Sequence, residues 1–116
     1  MNRVHLVLRH RPNGSLAALE LVDLALVSAT FAVPTRVFLE GAGVLHAVNL
    51  TSSPLAYSLR GRLDSITLYD MEPLVIDRDD WTAFGLTEAH CLAPVEILDH
   101  AEYLALLRTA DVILEG

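Results

Sequence analysis

The sequence predicts an α/β fold: a single three-layer domain over residues 1–116, with a mostly parallel central sheet of about five strands and helices on both faces. Three observations predict it. Short runs of valine, leucine and isoleucine alternate with helix-like segments along the chain, the order that builds strand–helix–strand units. Most of these runs are apolar at consecutive positions, as in strands covered on both faces. The length of 116 residues is that of one domain.

Each element has its own warrant. Residues 3–9 (RVHLVLR) form a short strand. The loop 11–14 (RPNG) follows, and Ser15 is placed to cap a helix over residues 16–32. Glu20 and Asp23 are the charged residues of that helix; they lie three apart on one face, and most of the remaining surface is Leu, Ala, Val and Phe. Pro34 ends it, and residues 35–40 (TRVFLE) form the second strand. Gly41-Ala42-Gly43 turns into a short helix over 44–48, and residues 54–63 read as helix. Residues 64–69 (DSITLY) and 73–77 (PLVID) read as the third and fourth strands. Asp79 is placed as the cap of a short helical turn that Gly85 ends. Residues 91–97 read as a strand that Pro94 confines to a sheet edge or a bulge. Asp99 caps a helix over 100–108, and residues 111–114 (DVIL) close the sheet.

Composition excludes several function classes. The net charge is −7, and all eight basic residues are arginine. An acidic surface is a poor electrostatic footprint for nucleic acid. Without lysine there is no Schiff base, no phosphate-loop lysine and no receiver-type site, although Asp77, Asp79 and Asp80 cluster after the fourth strand. One cysteine, Cys91, forms no internal disulfide. The start of the chain shows no secretory pattern, and no apolar run is long enough to span a bilayer. A cytoplasmic location is expected, with no membrane contact. The hydrophobic content of 53% is high for so small a domain. The excess points to a subunit interface on the broad apolar helix, with Leu16, Leu19, Leu24, Val27 and Phe31 as its candidates.

Candidate chemistry is sparse. Arg9, His10, Arg11 and Ser15 sit between the first strand and a helix N-terminus, where free amides favour an anion or an acidic partner. A solvated basic loop accounts for the same residues. No two of the five histidines stand at a metal-ligand spacing, and no metal or cofactor is expected. His90 and Cys91, adjacent on a strand, point to opposite faces, which argues against a Cys–His pair. Cys91 reads as a core thiol and is the low-ranked candidate for catalysis.

The phrases Leu68-Tyr69-Asp70-Met71-Glu72, Glu40-Gly41-Ala42-Gly43-Val44 and Ala110-Asp111-Val112-Ile113-Leu114, with the order of elements, resemble the DsrE/DsrF-like superfamily nearly end to end. The likeness is nearest to its TusC/DsrF-type subunits. The resemblance implies a mostly parallel α/β domain that assembles with two homologous small subunits into a sulfur-relay hetero-oligomer, one of them carrying a persulfide cysteine. It further implies service to tRNA 2-thiouridine synthesis or to sulfur oxidation, with tRNA or an acidic sulfur-acceptor protein reached through the complex. The family's sulfur-carrying subunit places its cysteine just after the fourth strand. Here that stretch is Val75-Ile76-Asp77-Arg78-Asp79, so the expected role is that of the non-catalytic subunit. Two rivals remain: a stand-alone sulfurtransferase using Cys91, and a homo-oligomeric module binding an anion at the loop from Arg9 to Ser15.

Overall fold

The computed structural model describes residues 3–9, 34–47, 72–87 and 94–115, together with the helical residues Glu20, Asp23, Leu24 and Val27. Its five described strands form one all-parallel sheet. They are β1 (Val4–Leu8), β2 (Thr35–Leu39), β3 (Leu74–Asp77), β4 (Val95–Leu98) and β5 (Val112–Glu115), in the spatial order β4-β3-β2-β1-β5. The register runs from Val4↔Thr35 to Leu8↔Leu39 between β1 and β2, and from Leu74↔Val95 to Asp77↔Leu98 between β3 and β4.

The unbroken apolar runs are explained by cover on both faces. Strand side chains alternate in direction, so each run splits its residues between two cores. Leu6, Leu8, Val37, Leu39, Leu74 and Ile76 share one core with Val44, Ala47 and Trp81. The last three come from a 3-10 helix (Gly41–Ala47) and from α1 (Arg78–Ala83). Val7, Phe38 and Val75 point the other way and meet Tyr103 and Leu107 of α2 (His100–Leu107). Each such fully buried side chain contributes about 1.5–3 kcal/mol of transfer free energy. Parallel strands need crossovers, and the connection through α2 carries the chain from one sheet edge, β4, to the other, β5.

Several boundaries differ from those the sequence suggests. The short helix after β2 begins at Gly41, not Val44, because the glycines are inside it. Gly41 has φ +55°, and a Cβ on Gly43 would lie 1.9 Å from the Leu8 carbonyl oxygen. The 3-10 helix therefore rests directly on the end of β1. The cap of α1 is Asp77, the last residue of β3, whose side chain accepts from the Asp79 N–H; Asp79 itself is in the first turn. Strand and helix share this residue, so no loop separates them. Asp99 holds the N-cap position of α2 without a side-chain cap bond; its carboxylate pairs with Arg78 at 2.8 Å instead. β4 starts after Pro94 and lies at the sheet edge, in keeping with proline's missing donor. Gly85, at φ +67°, follows α1 as expected. The expected helix over 54–63 and strand over 64–69 lie outside the described residues, as does Cys91. Among the described residues, no helix is long and apolar enough to cross a membrane.

Candidate functional site

In open parallel sheets, functional groups gather beyond the carboxyl ends of the strands. Here that rim collects the ends of all five strands and the starts of α1 and α2. Six carboxylates (Glu40, Asp77, Asp79, Asp80, Asp99 and Glu115) stand there with the guanidiniums of Arg9 and Arg78.

On the β1 side, Arg9 is held by two carboxylates. Its Nε lies 3.2 Å from Glu40 and its Nη1 2.9 Å from Glu115. The Tyr103 hydroxyl donates to Glu40 at 2.9 Å. Tyr103 is fully buried, and burial first, then the Glu40 charge, pushes its hydroxyl far above the usual phenol range. It stays a neutral donor at any working pH. Its ring meets Phe38 edge-on, with centroids 5.5 Å apart. The network thus runs from the sheet core to the surface. Arg9, singled out in the sequence as an anion contact, is not a free cation: Glu40 and Glu115 already compensate it. His10, Arg11 and Ser15, its companions in that reading, lie outside the described residues.

On the β3 side, Asp77 is 4% exposed and its carboxylate is committed at both oxygens. Oδ1 accepts from the Asp79 N–H at 3.0 Å, and Oδ2 lies 2.6 Å from Nδ1 of His100. Register explains the meeting. Asp77 pairs with Leu98 across the sheet, so His100 arrives beside it two residues later. The hydrogen bond to Asp77 and then its charge raise the imidazole pKa above its ordinary 6.5, with Asp79 and Asp80 adding to the effect. The His100 side chain is 56% exposed. Arg78 braces the joint through Asp99 and through a 3.2 Å bond to the Ile97 carbonyl. Asp80 fastens it to the 3-10 helix by accepting from the Gly41 N–H at 2.8 Å.

Donor atoms of Asp77, Asp79 and His100 lie within 4.8 Å of one another. The Asp77 oxygens already meet the Asp79 N–H and the His100 imidazole. His100, Glu40, Tyr103 and Glu115 were not singled out from the sequence. Their partners lie far along the chain, and only strand order brings them together.

The predicted interface residues are partly on view. Leu24 and Val27, three apart on a helix, are 47% and 53% exposed. Leu16, Leu19 and Phe31 lie outside the described residues.

The sequence profile of the DsrE/DsrF-like family matches residues 2–115. Among solved structures, the YchN protein from E. coli superposes with a TM-score of 0.83 over 100% of both chains, at 19% sequence identity. A likeness at that identity shows the fold alone. No curated protein matches the chain in sequence.

Proposed function

The chain belongs to the DsrE/DsrF-like family, which is associated with sulfur relay, and we propose on that premise that it is a non-catalytic subunit of a persulfide-transfer hetero-oligomer. Its role is to hold and shape a homologous, cysteine-bearing partner in the cytoplasm, in tRNA 2-thiouridine synthesis or in sulfur oxidation. One observation carries the reading. The last position of β3 and the two after it are filled by Asp77, Arg78 and Asp79, and Asp77 is spent on capping α1 and binding His100. A carboxylate forms no persulfide, and the chain's one cysteine is fourteen residues further on, at Cys91.

Two further observations support it. Exposed Leu24 and Val27 on one helical face offer the apolar surface that a permanent subunit buries. Among the described residues the rim carries more carboxylates than guanidiniums, and Arg9 is already paired. Contact with tRNA or an acidic acceptor would therefore fall to other parts of the complex or to the segment after Arg9.

The test is sulfur transfer in complex rebuilt from this chain and two homologous subunits, one with a cysteine after the matching strand. Labelled sulfane sulfur should appear on that partner and not on this chain, and Cys91→Ser should leave transfer intact. Label on Cys91 that moves on to an acceptor would establish the stand-alone sulfurtransferase instead.

A further inference from the structure

From the rim geometry we infer that Asp77 and His100 form an acid–base pair, in which His100 Nε2 takes the proton from the thiol of a partner's sulfur-carrying cysteine docked at this rim. The inference rests on the function proposed above and names a task for this subunit within it.

The geometry sets the tautomer. A carboxylate can only accept, so in neutral His100 the proton sits on Nδ1, facing Asp77 Oδ2 at 2.6 Å. Nε2 is then left with its lone pair on a side chain 56% exposed to solvent. Asp77 is itself immobile. It is buried, it caps α1, and it belongs to a strand paired on both sides. An imidazole oriented by a buried carboxylate, with no partner on its second nitrogen among the described residues, is the arrangement that serves proton transfer. A structural histidine would more economically have both nitrogens occupied or buried.

The surroundings favour the same task. The charged groups that act on His100, among the described residues, are Asp77 from β3 and Asp79 and Asp80 from α1. Arg78 is consumed by Asp99, so the net field is negative and strengthens the imidazole as a proton acceptor. A base of this kind takes up a proton, so the fitting substrate is a neutral thiol that supplies one. In the step, the S–H bond breaks, its electron pair stays on sulfur as thiolate, and the proton passes to Nε2. The imidazolium that forms is compensated by Asp77. No oxidant or reductant is required. His100 touches the reacting thiol; Asp77 is a positioning residue.

The test uses the rebuilt complex with wild-type chain, His100→Gln and Asp77→Asn, and follows single-turnover sulfur transfer against pH. The wild-type rate should rise with pH through an ionisation above 6.5. In His100→Gln that ionisation should vanish and transfer at neutral pH should fall roughly 100-fold, the lower end of what a general base contributes, with assembly unchanged. In Asp77→Asn the ionisation should move to lower pH, which a merely structural tether would not do. A complex that assembles and transfers sulfur with the same rate and pH profile in His100→Gln overturns this inference alone. A wild-type chain that joins no such complex overturns the function beneath it, and the inference with it.

Discussion

Helix α2 meets a histidine at each end, and the two histidines are held in opposite ways. At its start, His100 Nδ1 faces the Asp77 carboxylate at 2.6 Å. At its end, Nδ1 of His5 donates to the Leu107 carbonyl at 3.0 Å, the only role a carbonyl partner allows. His5 is 4% exposed and its ring lies 4.6 Å from Phe38. Burial lowers its pKa below 6.5, and the charges of Arg36 and Arg3 add to that against the opposing carbonyl bond. His100 is raised instead, by a charged partner at the water's edge. The same ring nitrogen bonded to oxygen gives a core component in one place and a titrating group in the other. Burial and the charge of the partner decide which.

The rim end is the more easily broken, because it rests on a backbone contact. In Gly43→Ala the added Cβ would stand 1.9 Å from the Leu8 carbonyl oxygen and 2.6 Å from its carbon. Backbone on both sides leaves no side chain to give way. The 3-10 helix must lift from β1, and with it the Gly41–Asp80 bond that steadies α1. The expected loss is about 3 kcal/mol or more in urea unfolding. A loss below about 1 kcal/mol would show that the contact yields.

The buried end is sharpened by pH. His5→Ala removes a ring packed on Phe38 and leaves the Leu107 carbonyl with only the 3.4 Å bond from the Ala110 N–H, at an expected cost of about 2–3 kcal/mol near neutral pH. A group with a lowered folded pKa contributes stability above its unfolded value of 6.5 and loses it as pH falls through the folded one. The wild type should therefore lose stability between pH 6.5 and lower values in a way that His5→Ala does not. His100 has the opposite sign: its contribution is present below 6.5 and fades as pH rises through its raised pKa. Equal acid slopes in wild type and His5→Ala would show that burial leaves the His5 pKa where it is in the unfolded chain.

The two regions were unequally legible in the sequence. β1, β2 and β3 show themselves as apolar runs because both of their faces are buried, and Gly85 marks the end of α1 by its positive φ. The cap did not show itself. Asp77, Asp79 and Asp80 are all plausible caps by residue type, and the choice falls on Asp77 because the extended backbone of β3 ends there. The Asp77–His100 pair spans 23 residues, and Tyr103 reaches Glu40 across 63. Such pairs depend on which strands are neighbours, a property that local periodicity does not carry. Asp99, well read as the start of α2, misled in one respect: its side chain serves Arg78, and the contact with Asp77 belongs to the next residue.

The smallest change tests the comparison most directly. Asp77→Asn keeps a good N-cap, since asparagine caps about as well as aspartate, but removes the charge that distinguishes the two ends of α2. The measurement is a histidine-resolved NMR titration of the folded chain, wild type and Asp77→Asn, through the neutral range. In the wild type His100 should titrate above 6.5 and His5 below it. In Asp77→Asn, His100 should fall back towards 6.5 while His5 stays where it was. Both rings titrating together near 6.5 in the wild type, or a His100 indifferent to Asp77→Asn, would contradict the account.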